Sequence, residues 1–252
     1  MSIIIKTVGE IFTDSTLPVL QKDFVATTGT LASYDAGDKF SYKKQASPIS
    51  GTDVCKNLMG GDNASFVGNL GFSGGFTTDG GTDAIVLPSI CKPGANSDGL
   101  IIVWVKPGNQ TYSASSYNMF ALMDSGPSDG LFAAYIQGGT SIIFTSIAKT
   151  GQLIGSDGLT PNAVAQYAIS YKKVNGNYVI KVYKNGAVLQ SNDTTSTSLV
   201  IPANNIQLSG GALSGRNYFV GTFYRTLYDN LTAKNPEDIV ALDYETNAGR
   251  FV

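Results

Sequence analysis

The chain of 252 residues contains no histidine. That excludes Ser-His-Asp and Cys-His catalysis, HExxH zinc chemistry and three-histidine zinc sites. Any enzyme chemistry would have to run on carboxylates, Lys, Tyr or a thiol. Strong helix formers are also scarce, with three Glu and three Arg. Charged residues make up 14%, against a usual ~25%. The 17 basic and 19 acidic side chains give a formal charge of −2. So even a balance supplies no broad positive field, and nucleic acid is not expected as a partner.

Long hydrophobic runs are missing as well. The longest, Leu100 to Val105, has six residues, where a membrane span needs ~18. The opening Met1-Ser-Ile-Ile-Ile-Lys-Thr-Val carries no basic region followed by an apolar stretch. No secretory signal is expected, and synthesis in a cytoplasm is. Cys55 and Cys91 are the two cysteines. Their spacing does not argue for a bridge, and buried free thiols are expected. The sequons at Asn63 and Asn230 then count as chance matches.

What the chain does have is 29 Gly, 13 Tyr and 12 Phe. Residues 1–30 stand apart, with little Gly and with Ile3, Ile4, Ile5, Ile11 and Phe12 as apolar features. They form either an edge strand of the main domain or an arm that docks on a partner. From residue 31 onward the pattern is β. Leu100 to Val105 is β-branched, uncharged and bounded by Asp98-Gly99 and Pro107-Gly108, as a central strand should be. Trp104 lies within it and is expected in the core.

Asn185-Gly186 sits between two strands, and both residue types tolerate the positive φ of a type I′ turn. In Tyr178 to Tyr183 one face carries Tyr178, Ile180 and Val182 and is core-like. The other carries Val179, Lys181 and Tyr183 and is amphipathic. One helix is expected, from about Pro236 to about Glu245, with Asn235 as N-cap, Pro236 at N1 and Glu237 and Asp238 in its first turn. Many short strands with turn signals every 8–12 residues imply a sandwich or barrel. Residues 31–252 are too long for an immunoglobulin domain. The expected fold is all-β, a two-sheet antiparallel jelly-roll sandwich with one short C-terminal helix.

Four segments occur in an order that resembles the concanavalin A-like, or laminin G-like, jelly-roll superfamily. They are Phe76 to Pro88, Gly99 to Pro107, Tyr178 to Gly186, and Gly221 to Leu231 followed by the helix. Tyr34-Asp35-Ala36 with Asp53 to Leu58 is similar to the entry segment of laminin G-like domains of bacteriophage virion proteins. The resemblance implies a virion component, a capsid decoration or a tail fibre or collar part, with other virion proteins or its own copies as partners. Two family patterns are missing. No histidine is available for the paired metal site of the legume-type lectins. With only Glu10, Glu237 and Glu245 present, the glucanase strand of alternating acids is absent too.

Candidate sites follow from chemistry. Asp124 and Asp129 share one Gly/Pro-rich loop, and Asp79 and Asp83 flank Gly80-Gly81. Either pair is a candidate calcium contact, because Ca²⁺ takes 6–8 oxygen ligands, and Asp79 and Asp83 are alternatively a sugar contact at a sandwich edge. The plainer reading of both is turn chemistry. No other cofactor is expected. Tyr112 and Tyr117 lie in a polar loop and are candidate stacking platforms for sugar, or else partly buried loop tyrosines. Glycosidase chemistry needs two carboxylates set across a groove, and no spacing among the Asp residues identifies them. The expectation is therefore a non-enzymatic structural and interaction protein. A carbohydrate-binding receptor module for cell-surface polysaccharide is the alternative, and a carboxylate-based glycanase the third reading.

Overall fold

The computed structural model describes residues 23–109, 117–123, 131–146, 148, 153–209 and 217–251. The first half contributes β1 (Thr30–Asp35), β2 (Val54–Cys55), β3 (Ala64–Val67), β4 (Gly71–Phe72), β5 (Phe76–Asp79), β6 (Ala84–Val86), β7 (Gly99–Pro107) and β8 (Tyr117–Leu122). Then come β9 (Phe132–Gln137), β10 (Ser141–Thr145), β11 (Leu153–Gly158), β12 (Ala165–Val174), β13 (Asn177–Lys184) and β14 (Ala187–Asp193). The chain closes with β15 (Gln207–Leu208), β16 (Asn217–Tyr218), β17 (Val220–Asp229) and helix α1 (Pro236–Asn247).

These strands form the expected two sheets. One runs β14-β13-β12-β7-β17-β5-β4, with β1 also pairing β17. The other runs β11-β10-β9-β8-β15-β6-β3-β2, with the short β16 lying parallel to β8. Their facing sides enclose the main core, which includes Tyr34, Phe66, Phe76, Ile101, Val103, Phe120, Phe144 and Phe223. Period-2 alternation carries this, since in β13 Tyr178, Ile180 and Val182 point into that core. Tyr183, on the other face, enters a second core.

That second core explains why Leu100 to Val105 reads as an unbroken apolar run. Leu100, Ile102 and Trp104 point away from the sandwich and pack with Ala168, Leu227, Ile239, Val240 and Phe251 beneath α1. The strand is buried on both faces and needs no alternation. Trp104 is 1% exposed. Its ring stacks on Tyr244 at 5.8 Å and meets Phe251 edge-on at 5.2 Å.

Local signals hold where backbone geometry is demanding. Asn185 and Gly186 have φ of 48° and 84°, and Asn175 and Gly176 have 51° and 89°. Both loops therefore join their strands through the left-handed pair of a type I′ turn. Gly99 has a different reason. A Cβ there would sit 2.2 Å from the Tyr171 hydroxyl, which hydrogen-bonds Tyr228 at 2.7 Å in the core.

Two expectations change. The helix runs one residue pair beyond Glu245, to Asn247. Asn235 makes no side-chain cap, because its Oδ1 accepts Lys172 Nζ at 2.9 Å instead. Cys55 and Cys91 are free and buried, and burial pushes each thiol up to about 12.

Candidate functional site

The most concentrated polar chemistry lies where the first sheet, α1 and the segment before β1 meet. Along β17 the register against β7 shifts between Phe223 and Arg225. A bulge of this kind sets two residues against one. Tyr224 and Arg225 accordingly both face the helix side, opposite Trp104. In β1, Ser33 and Asp35 share that side while Ala32 and Tyr34 enter the main core. On α1, Ile239, Val240, Asp243 and Asn247 fall on one face and are buried.

The result is a hub around Arg225, which is 3% exposed. Its Nε donates to Asp243 Oδ1 at 2.8 Å. Its two terminal nitrogens donate to Asp23 Oδ2 at 2.8 Å and Oδ1 at 3.1 Å, and one also donates to Ser33 Oγ at 3.1 Å. Asp35 Oδ2 lies 3.8 Å from it. Asp243 also accepts Trp104 Nε1 at 2.5 Å, Gln166 Nε2 at 2.8 Å and Asn247 Nδ2 at 3.1 Å. Ser33 Oγ donates to Asp23, as does the Val25 amide at 3.1 Å. A second guanidinium, Arg250, donates to Asp35 Oδ2 at 2.8 Å and to Asn247 Oδ1.

Burial pushes the Asp23 carboxyl up, but Arg225 and the hydrogen bonds from Ser33 and Val25 pull harder, so it lies below the usual carboxylate range. Asp35 goes the other way. Burial raises it, and Arg250 and Arg225 offset only part of that. Burial lowers the Arg225 guanidinium, and the surrounding carboxylates more than restore it.

Above the hub opens a cleft of about 360 Å³, within the range of small-molecule sites. Asp23, Phe24, Asp35, Asp38, Leu58, Thr246, Asn247 and Arg250 line it together with Arg225. Phe24 is 88% exposed and stands beside these polar groups. Asp38 Oδ1 accepts the Phe40 amide at 2.6 Å. A second concavity of about 360 Å³ lies at the start of α1. It has no aromatic wall, and its Lys181 is paired with Glu237 at 2.6 Å.

The residues singled out from sequence are not gathered in either place. Tyr117 opens β8, half-buried and packed on the main core. Asp79 closes β5 and accepts the Gly81 amide at 2.9 Å. Asp83 is buried and accepts the amides of Asn69 at 2.7 Å and Asp79 at 3.2 Å. No group of three or more acidic or thiol side chains that could hold a metal ion occurs among the described residues. Tyr112, Asp124, Asp129, Ile3, Ile4, Ile5, Ile11 and Phe12 lie outside the described residues. Ahead of β1, Val25 already packs in the second core and Asp23 is held by Arg225.

Sequence reasoning missed Phe24, Asp38, Arg225, Asp243 and Arg250. One signal was available for the hub: Arg225 is one of three Arg in the chain and interrupts the otherwise uncharged run Val220 to Tyr228.

No protein-family model matches the sequence, and no curated protein matches it. Solved structures do match. Trypanosoma rangeli sialidase, as a covalent intermediate with 2,3-difluorosialic acid, aligns with TM-score 0.64 and 13% identity over 88% of this chain and 34% of the sialidase. The receptor-binding domain of botulinum neurotoxin D aligns with TM-score 0.57 and 15% identity, over 88% of this chain and 54% of that domain. The serotype D ligand-binding domain in complex with N-acetylneuraminic acid gives 0.56 and 14%, over 88% and 52%. This chain thus spans about a third of the sialidase and about half of the toxin domains. At such identity the likeness establishes a shared β-sandwich fold. It also corrects one expectation. The sequence led to a protein that is not an enzyme, and that exclusion is overturned by matches that include sialidases, which are enzymes.

Proposed function

We propose that this chain is an interaction module of a bacteriophage particle that adheres to carbohydrate through the cleft beside Phe24. The observation that carries the reading is the pairing of an 88% exposed aromatic ring with a cleft walled by carboxylate, guanidinium and hydroxyl groups. Sugar recognition needs that combination, an apolar face for the ring carbons and polar groups that orient hydroxyls. The fold match supports it, since the matched structures include Trypanosoma rangeli sialidase in complex with sialic acid and the toxin domain in complex with N-acetylneuraminic acid.

Placement on a virion rests on the resemblance to laminin G-like virion proteins. In this reading residues 1–22 reach other virion proteins or further copies of the chain, with Ile3, Ile4, Ile5, Ile11 and Phe12 as contacts. The protein is made in the host bacterial cytoplasm, and its outward partner is cell-surface polysaccharide. Tyr112 and Tyr117 are a second candidate contact, and Asp124 and Asp129 a candidate calcium loop.

The test is binding of the labelled protein to a bacterial panel and a glycan array, with and without EDTA. Saturable binding that Phe24→Ala reduces about tenfold and Tyr112→Ala leaves intact supports the cleft. The reverse pattern moves the site to the tyrosine loop, and EDTA sensitivity brings in calcium. Absence of binding to every glycan and cell overturns the adhesion reading. Deleting residues 1–22 should abolish incorporation into particles while the sandwich stays folded. Incorporation of the truncated chain overturns the docking role.

A further inference from the structure

Resting on that reading, we infer that the cleft selects electrically neutral sugars and discriminates against carboxylated ones. Recognition of an acidic sugar calls for a cation free to meet its carboxylate. Both guanidiniums lining the cleft are already paired with carboxylates. Arg225 spends Nε on Asp243 and its terminal nitrogens on Asp23 and Ser33. Arg250 donates from one terminal nitrogen to Asp35 and from the other to Asn247, and its guanidinium lies 5.0 Å above the Phe251 ring.

The charge count points the same way. Asp23, Asp35 and Asp38 face the cleft against Arg225 and Arg250. The two guanidiniums hold Asp23, Asp35 and the helix carboxylate Asp243, which leaves Asp38 as the lining carboxylate that neither of them pairs. Its Oδ1 takes the Phe40 amide, and no donor reaches its Oδ2 among the described residues. An acceptor of that kind suits hydroxyl donors, and a carboxylate accepts from two neighbouring hydroxyls at once. A pyranose offers such a hydroxyl pair on its rim and an apolar C–H face beside it. The ring of Phe24 and the half-buried Leu58 flank the cleft to receive that face, and Thr246 adds a hydroxyl. A sialic or uronic acid would bring a second negative charge toward Asp38, and each cation lining the cleft is already paired with a carboxylate.

The experiment uses the full chain on an array of neutral oligosaccharides set beside their uronic and sialylated counterparts. Calorimetry on the best neutral binder then compares the wild type with Asp38→Asn. The expected result is at least tenfold weaker binding of the carboxylated counterparts. Asp38→Asn, which keeps the acceptor for the Phe40 amide, should weaken the neutral sugar about tenfold and narrow the discrimination. Equal or tighter binding of carboxylated glycans, or a neutral affinity unmoved by Asp38→Asn, overturns the inference while adhesion stands. Absence of binding to any glycan by protein with native circular dichroism overturns adhesion itself, and this inference with it.

Discussion

Trp104 and Arg225 face each other across the β7–β17 pairing, and both donate to the carboxylate of Asp243, the indole at 2.5 Å and the guanidinium Nε at 2.8 Å. One helix side chain thereby fixes two adjacent strands of the sheet. Gln166 from β12 adds a third strand, reaching the same carboxylate at 2.8 Å. α1 is held to the sheet by directional bonds as well as by apolar packing.

Arg225→Met should therefore cost about 3–5 kcal/mol, because removing one partner of a buried charge set leaves the others uncompensated. Asp23, Asp35 and Asp243 would remain at 5%, 2% and 0% exposure without it. Urea unfolding followed by Trp104 fluorescence measures the loss. A cost under about 1 kcal/mol would mean that water enters and replaces the guanidinium.

Acid should expose two opposed contributions. Asp23 has a lowered pKa in the fold. Its stabilisation is present above the unfolded value of about 3.9 and is lost as pH falls through the folded value. Asp35 is raised, so its contribution is present below about 3.9 and is lost as pH rises through the folded value. Asp23→Asn should make the protein less sensitive to acid below about pH 4, and Asp35→Asn more sensitive. Thermal melts of both variants from pH 7 to 3 check the signs.

Cys55 and Cys91 should stay silent toward a thiol reagent at pH 8. Burial holds both at about 12, and the thiolate is the reactive form. Two equivalents should appear on unfolding in guanidinium. Fast labelling of either in the native protein would contradict its burial.

Phe24→Ala should leave stability within about 0.5 kcal/mol, as exposed substitutions do, even where it weakens glycan binding. Gly186→Ala should cost about 1–2 kcal/mol, since φ is 84° there and the new Cβ would lie 3.1 Å from Tyr244. Melting temperatures of the two variants separate a surface contact from a turn requirement.

The sandwich was legible because its signals are local. Alternation in Tyr178 to Tyr183 and the Asn-Gly pairs need only their neighbours in the chain. The Asn235 cap failed for a non-local reason, since Lys172 from β12 takes its side-chain oxygen. The hub and cleft were illegible on the same ground. Asp23 and Arg225 are 202 positions apart, and Asp35 and Arg250 are 215. Taken singly, Asp23 and Asp38 read as ordinary loop acids. Only the bulge at Tyr224, which turns Arg225 toward the helix, gives Asp23 its partner.

The grip on Asp23 has a mechanical side. Tension on the chain ahead of that residue arrives at the Arg225 guanidinium before it can peel β1 from β17, and the same guanidinium is bolted to α1 through Asp243. The load is then shared among the helix and two strands at a single ionic knot. A protein pulled by its first residues would be expected to yield there in one abrupt step, with the rest of the sandwich still intact.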